Sequence, residues 1–239
     1  MSEQIKQSGQ SVIVYDDALI SHIEAEWFNP GYWHSATRKS GAGVGRGGVL
    51  FIEHEQQHWV LRHYYRGGMV GRLTADSFFW TGLNQTRALR EWRLLFELYK
   101  QGLPVPQPVG ARVIQRGIFY TADLLTARLP GVKAFSHCLK EKAVDAATWK
   151  NVGSLIARFH SAGVYHADLN AHNIQVGADQ SIYLLDFDRG RFMPTGGGWQ
   201  QGNLKRLKRS LNKLSGNGQF EFAEGDWQLL LESYQAAMV

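Results

Sequence analysis

Cysteine is almost absent from this chain, and it contains no long apolar run. Cys138 is the only cysteine, which excludes disulfides within the chain and thiolate zinc clusters and suits a reducing compartment. No window reaches about 18 consecutive apolar residues, so the sequence predicts no membrane-spanning helix. The first residues, MSEQIKQ, lack the apolar segment of a secretory signal. Together these absences favour a soluble protein of the cytoplasm.

Charged residues are also few, and the balance is basic. They make up 20% of the chain against 44% apolar residues, which is typical of a globular protein. A length of 239 residues suffices for one domain or two small lobes. A net charge of +5 is compatible with nucleic acid, anionic lipid or phosphorylated ligands. Composition alone therefore leaves the class of ligand open.

The most informative stretch is residues 166–173, HADLNAHN, with five polar or ionisable side chains in eight positions. A buried strand cannot carry so many polar groups without partners, so we predict a loop on a rigid scaffold. The spacing H-x-D-x-x-x-x-N is that of a phosphotransferase catalytic loop. In such loops the Asp takes a proton from the acceptor hydroxyl and the Asn points at magnesium. A strand-like run, 182–185, then leads to a second carboxylate at Asp186.

A glycine-rich segment, 41–48, precedes an apolar strand. Gly43, Gly45 and Gly48 fit G-x-G-x-x-G, and glycine lets a backbone approach phosphate oxygens closely. A Rossmann site would need a helix directly after the glycines, whereas a strand follows here. The order favours a hairpin that covers a nucleotide, although a surface loop can show the same pattern.

Two charged residues stand where a kinase holds its phosphate-binding ion pair. Residues 58–65 alternate like a strand, and Arg62 occupies the position of the third-strand lysine. A helix is predicted from about 86 to 100, and it carries Glu91, the equivalent of the glutamate that pairs with this cation. Taken singly, each residue also has a simpler explanation: Arg62 can be an exposed arginine on a strand, and Glu91 a solvated glutamate on a helix.

The remaining segments predict a change from strands to helices near residue 126. Strands are expected near 111–114 and 118–122, a hinge at 123–125, and helices at 147–162, 203–214 and 225–238. The helix at 203–214 has a leucine stripe beside a basic cluster, which is either a solvated face or a surface for membrane or anions. The cluster consists of Lys205, Arg206, Lys208, Arg209 and Lys213.

The order of these motifs resembles that of the protein-kinase-like superfamily. More closely, over about residues 30–215, the chain is similar to the lipopolysaccharide core kinases of Gram-negative bacteria. The matching segments are LRHYYRGG (61–68), YHADLNAHN (165–173), LDFD (185–188) and NLKRLKRSL (203–211). The resemblance implies an α+β, bilobal kinase-like fold. Residues 1–125 would form a nucleotide-binding lobe with an antiparallel sheet and one main helix, and residues 126–239 a mostly helical catalytic and acceptor-binding lobe.

The resemblance also implies an activity. It implies ATP- and Mg²⁺-dependent phosphorylation of a hydroxyl of the 3-deoxy-D-manno-octulosonic acid (Kdo) residue on lipid A precursor. The enzyme would be peripheral at the cytoplasmic face of the inner membrane, and neither nucleic acid nor a protein substrate is expected. Carried over by motif, Asp168 is the base, Asn173 and Asp186 are magnesium ligands, and Glu91 pairs with Arg62. The basic cluster on the 203–214 helix would contact the anionic membrane surface.

Departures from protein kinases narrow the acceptor class. Arg62 replaces a lysine, Asn170 replaces the lysine that follows Asp-Leu in protein-serine kinases, and Asp188 replaces the glycine of Asp-Phe-Gly. No Ala-Pro-Glu segment follows, so a protein acceptor is not expected. His166 is predicted to orient the loop. His172 either contacts the acceptor or packs against other residues of the protein.

Three other functions remain open from the sequence. A soluble small-molecule kinase of the aminoglycoside or choline type uses the same catalytic residues. A catalytically inactive nucleotide-binding scaffold would retain the fold, but it would not be expected to keep Asp168, Asn173 and Asp186 together. A metallohydrolase would use His166, Asp168 and His172 as ligands, although neither the glycine segment nor further ligand clusters fit that chemistry.

Overall fold

The computed structural model describes residues 2–33, 37–39, 49–54, 56–66, 76–194 and 196–238. The chain divides into two compact units, residues 1–100 with 106–128 and residues 101–105 with 129–239. The first contains the large sheet and one long helix, and the second is mostly helical. The predicted α+β class, with an antiparallel N-terminal sheet and a helical C-terminal part, is confirmed. The assignment of nucleotide binding to the first part and of catalysis to the second stays a prediction.

The first unit is an antiparallel sheet with a helix on one face. Its strands run in the order β1-β2-β7-β8-β5-β4-β3, and β6 pairs with β8. The elements are β1 (Glu3–Ser8), β2 (Ser11–Asp16), β3 (Thr37–Lys39), β4 (Val49–His54), β5 (Gln57–His63), β6 (Phe78–Phe79), α1 (Arg87–Lys100), β7 (Pro108–Arg116) and β8 (Phe119–Ala127).

Helix α1 begins and ends within one residue of the predicted bounds. Its leucine and tryptophan residues recur every three or four positions, and Trp92 and Leu98 are completely buried. The helix packs against β7 and β8. The turn after it needs a left-handed residue, which Gly102 supplies at φ +71°. The opposite face of the sheet is covered by an aromatic segment, where Trp27 lies 5.3 Å from Trp59 between ring centroids.

The predicted hinge at 123–125 is wrong. Strand β8 continues through these residues to Ala127, and Leu125 pairs with both Leu61 and Gly110. Asp123 points into the sheet's covered side and is held by Arg112 at 2.9 Å. Pairing on both sides, which the sequence does not reveal, decides where this strand ends.

The second unit surrounds two small sheets with helices. Strand order is β12-β11-β9 in one sheet, and β10 pairs with β13 in the other. The elements are β9 (Val132–Ala134), α2 (Phe135–Lys140), α3 (Ala146–Ser161), β10 (Val164–Tyr165), β11 (Ile174–Gly177), β12 (Ile182–Leu184), β13 (Arg191–Phe192), α4 (Trp199–Gly216) and α5 (Glu224–Ala237). None of the described helices is both long and apolar enough to cross a membrane.

Local chemistry explains the helices that frame the site. Asp145 caps α3 by accepting from the Thr148 amide at 2.8 Å. Helix α3 packs closely along α5 at Gly153, where a Cβ would lie 2.2 Å from the Leu230 carbonyl oxygen. Helix α4 begins at Trp199, four residues before the predicted start, and its buried stripe includes Leu207.

Candidate active site

The first unit brings together Arg62, Tyr64 and Glu91. A guanidinium nitrogen of Arg62 lies 2.5 Å from a Glu91 carboxylate oxygen and 3.1 Å from the Tyr64 hydroxyl. That hydroxyl donates to the same carboxylate at 2.6 Å. Glu91 is 3% exposed, so it needs partners to remain charged. The structure thus places the two sequence-predicted residues in contact and adds Tyr64, whose position two residues from Arg62 is typical of side chains on one strand face.

Gly43, Gly45 and Gly48 lie outside the described residues. Their predicted contact with phosphate oxygens therefore stays a prediction. The strands on either side of them, β3 and β4, pair antiparallel, as expected for a hairpin.

In the second unit, Asn170 shapes the loop that presents Asp168. Its side-chain oxygen accepts from the amides of His172 at 2.8 Å and Asn173 at 3.2 Å, which closes a tight turn. Its side-chain nitrogen donates to the Asp168 carbonyl at 3.1 Å, and that of Asn173 donates to the same carbonyl at 2.9 Å. The buried Leu169 anchors the loop. Asn170 is thus a loop-forming residue, a role that the sequence reasoning missed.

His166 joins this loop to the strand that leads to Asp186. Its Nδ1 accepts from the Asp168 amide at 3.2 Å, so Nε2 carries the proton and donates to the Leu185 carbonyl at 2.9 Å. Burial lowers the pKa of His166, which keeps the ring neutral in this arrangement. The geometry fits the predicted role of His166 in orienting the loop.

Asn203, on α4, holds the main chain of His166 from the other side. Its side-chain oxygen accepts from the His166 amide at 3.2 Å, and its side-chain nitrogen donates to the His166 carbonyl at 2.8 Å. Asn203 is 1% exposed, and its oxygen also lies 3.4 Å from Nε2 of His160. Sequence reasoning missed this contact, since only the tertiary fold brings residues 166 and 203 together.

Asn173 and Asp186 lie at the same end of the hairpin formed by β11 and β12. The Leu185 amide donates to the Asn173 carbonyl at 2.8 Å, directly before Asp186. Because the Asn173 side-chain nitrogen is bonded to the loop, its oxygen is the atom left to bind a cation. Asp186 has a left-handed backbone, at φ 62°, a conformation that is uncommon outside glycine. A carboxylate and an amide oxygen fit the ligand preference of magnesium.

Asp168 is exposed and lies near the guanidinium of Arg206. Its side chain is 62% exposed, and a guanidinium nitrogen of Arg206 lies 3.9 Å from a carboxylate oxygen. Ser210, one turn further along α4, accepts from the Ala171 amide at 3.3 Å. Residues 203, 206 and 210 lie on one helix face, so α4 contacts the loop around Asp168 at three points.

His172 packs against α2. Its Nδ1 lies 2.8 Å from the Ser136 hydroxyl, and burial, followed by the charge of Lys140, lowers its pKa. His166 uses both ring nitrogens in hydrogen bonds, as described above. Across the described residues, no group of three His, Cys, Asp or Glu side chains is arranged to hold a metal ion. The metallohydrolase alternative therefore has no ligand set in this part of the chain.

The basic cluster on α4 divides into engaged and exposed cations. Arg206 faces Asp168, and Lys208 pairs with Glu224 at 2.7 Å. The other three point to solvent at intervals of four residues and have no ion-pair partner among the described residues: Lys205, Arg209 and Lys213.

Comparison with known proteins identifies the family. A family model described as the lipopolysaccharide kinase (Kdo/WaaP) family matches residues 31–234, which is most of the chain. The chain belongs to this family. Members of the lipopolysaccharide kinase family are kinases by description, and the predicted enzyme class is thereby confirmed. The predicted resemblance to lipopolysaccharide kinases is confirmed as well.

Several relatives match along nearly their whole length. The 3-deoxy-D-manno-octulosonic acid kinase of Vibrio vulnificus (strain YJ016) is 37% identical over 236 residues, which cover 99% of each chain. The kinase of the same name from Xanthomonas euvesicatoria pv. vesicatoria is 42% identical over 229 residues, 96% of this chain and 91% of the relative. That of Vibrio cholerae is 38% identical over 210 residues, 88% of this chain and 89% of the relative. The range matched by the family model includes Arg62 and Glu91 of the first unit and Asp168, Asn173 and Asp186 of the second.

Proposed function

We propose that the protein is an ATP-dependent kinase that phosphorylates a hydroxyl of the Kdo residue on lipid A precursor, in lipopolysaccharide inner-core biosynthesis. The observation that carries the proposal is the near-full-length similarity to kinases named for this sugar acid. The rigid, exposed presentation of Asp168 supports it, since phosphoryl transfer depends mainly on positioning and electrostatics.

Asp168 acts as the base. The acceptor O–H bond breaks as its proton passes to the Asp168 carboxylate, while the acceptor oxygen bonds to the γ-phosphorus and ADP departs. The carboxylate is exposed, as a group that must reach an incoming hydroxyl should be. Its main chain is fixed through His166, Asn170 and Asn173, so the position of the base on the loop is fixed.

Asn173 and Asp186 hold magnesium, and Arg62 binds the nucleotide phosphates. Magnesium, when bound, neutralises charge on the transferring phosphoryl group. Glu91 and Tyr64 orient the Arg62 side chain, and its planar guanidinium can bind a phosphate through two hydrogen bonds. The glycine segment with Gly43, Gly45 and Gly48 contributes main-chain amides to the same phosphates.

The protein works as a peripheral protein at the cytoplasmic face of the inner membrane. The exposed stripe of Lys205, Arg209 and Lys213 supports this, because each cation near an anionic surface contributes about 1 kcal/mol. Arg206 and Lys208, engaged within the unit, contribute less. Co-sedimentation with anionic vesicles at low salt, lost at about 0.5 M salt, is expected, since salt screens such contacts. Binding that resists salt would contradict an electrostatic contact.

Mass spectrometry of Kdo–lipid A precursor incubated with protein, ATP and magnesium tests the function. We expect a mass increase of one phosphoryl group on the Kdo residue. The Asp168→Asn variant is the control, and its rate should fall by about 10²–10⁴-fold, the usual contribution of a positioned base. If aminoglycosides or choline were phosphorylated and the lipid acceptor were not, the soluble small-molecule kinase alternative would replace this proposal.

A further inference from the structure

The catalytic loop is clamped between two helices at Ala171. The Ala171 carbonyl accepts from the Ser136 amide of α2 at 3.0 Å, and the Ala171 amide donates to the Ser210 hydroxyl of α4 at 3.3 Å. The Ser136 hydroxyl also contacts the ring of His172 at 2.8 Å. Helices α2 and α4 therefore reach the loop from two directions, both within a few residues of Asp168.

Each helix carries an exposed lysine one turn beyond its serine. Lys140 follows Ser136 by four residues, and Lys213 follows Ser210 by three, spacings that keep residues on one side of a helix. Ser136 and Ser210 both hydrogen-bond the main chain of Ala171, so these spacings place the two lysines beside the same end of the loop. Two cations from different helices thus converge on the end of the loop that follows Asp168.

Neither lysine is neutralised within the part of the chain that the structure describes. Glu141, the acidic neighbour of Lys140, is taken by Lys133 at 2.8 Å and lies 3.2 Å from His137. Asp168, the nearest other carboxylate on the loop, has Arg206 beside it. Two ammonium groups with an imidazole between them are donors suited to binding an oxyanion, and the Ser136 hydroxyl, itself buried, holds that imidazole in place.

We propose that Lys140 and Lys213, with the half-buried ring of His172 between them, form a binding site for an oxyanion of the acceptor. This inference rests on the proposed function, in which the acceptor hydroxyl approaches Asp168. The oxyanion is either the carboxylate of the sugar acid or a phosphate of its lipid carrier. Held there, it would fix which hydroxyl faces the base, so the pair determines acceptor specificity and not nucleotide binding.

The test is a kinetic comparison with acceptor dispersed in neutral detergent, where no anionic bilayer is present. The variant Lys140→Gln with Lys213→Gln should raise KM for the acceptor by roughly tenfold or more, the effect of losing a hydrogen bond to a charged group. KM for ATP should stay within about twofold, since the two substitutions remove contacts with the acceptor and none with the nucleotide. Lys140→Arg with Lys213→Arg should restore the acceptor KM, because it keeps both charges.

A matched control removes two exposed cations elsewhere, by Lys150→Gln with Arg116→Gln. If KM for the acceptor rose no more in the Lys140 and Lys213 variant than in this control, the proposed site would be overturned. A variant that raised KM only for ATP would overturn it as well. Repeating the comparison with an acceptor stripped of its phosphates separates the two anion sources. If the variant still has a higher acceptor KM than the wild type, the oxyanion is the carboxylate. If the two KM values become equal, it is the phosphate. If the wild-type protein left the acceptor unmodified, the proposed function itself would fail.

Discussion

The contact between Asn203 and His166 offers a sharp test of how the catalytic loop is held. Asn203→Ala removes the partners of two main-chain groups, the amide and the carbonyl of a residue that is 2% exposed. Each buried group left unsatisfied costs about 1–3 kcal/mol, and a water entering the space recovers part of this. We therefore expect the free energy of unfolding to fall by about 3 kcal/mol. At roughly 2–4 °C per kcal/mol for a chain of this size, Tm should fall by about 6–12 °C.

Activity should fall as well, because Asp168 lies two residues from the released main chain. A displacement of about 1 Å in a catalytic group costs on the order of 10²-fold in rate. Urea unfolding followed by circular dichroism gives the stability, and steady-state kinetics gives kcat. The control is Asn212→Ala, an exposed asparagine on the same helix. If the two variants differed by less than about 0.5 kcal/mol, the reasoning about Asn203 would be refuted.

Three further predictions concern the ion pair, the metal and the pH dependence of stability. Arg62→Lys should keep part of the activity and Arg62→Ala very little, because the alanine removes the guanidinium that lies 2.5 Å from the buried Glu91 carboxylate. Equal kcat/KM for all three proteins would remove Arg62 from the site. Asp186→Ala should abolish magnesium-dependent ATP binding in calorimetry, since one amide oxygen and waters hold the ion poorly; unchanged affinity would contradict its role as a ligand. Burial lowers the pKa of His160 from 6.5 to about 4, so the unfolded chain takes up a proton first as pH falls. His160 should thus lower the free energy of unfolding by about 2 kcal/mol between about pH 7.5 and about pH 5. His160→Gln should lose about 2 kcal/mol less than the wild type over this range, while His166 and His172, whose pKa values burial also lowers, still contribute to its loss. An equal loss in both proteins would count against this role of His160.

Local patterns were sufficient to predict the parts of the site that are contiguous in the chain. The loop 166–173, the strand pair that follows it and helix α1 with Glu91 all depend on short-range periodicity and spacing, which the sequence displays directly. The contact between Arg62 and Glu91 followed from motif order, because the sequence shows a strand cation and then a helix glutamate in the order of the kinase ion pair. The family was predictable for the same reason, since its motifs are local.

Contacts that cross the chain could only be decided by tertiary structure. Strand β8 was predicted too short because pairing with β5 and β7, and not its own residues, determines its end. Leucine spacing indicated the buried side of α4, but it could not show that Asn203 and Arg206 face the catalytic loop while Lys205 and Arg209 face solvent. A hydrogen bond between residues 37 apart leaves no periodic trace in sequence, because it depends on where two separate elements meet.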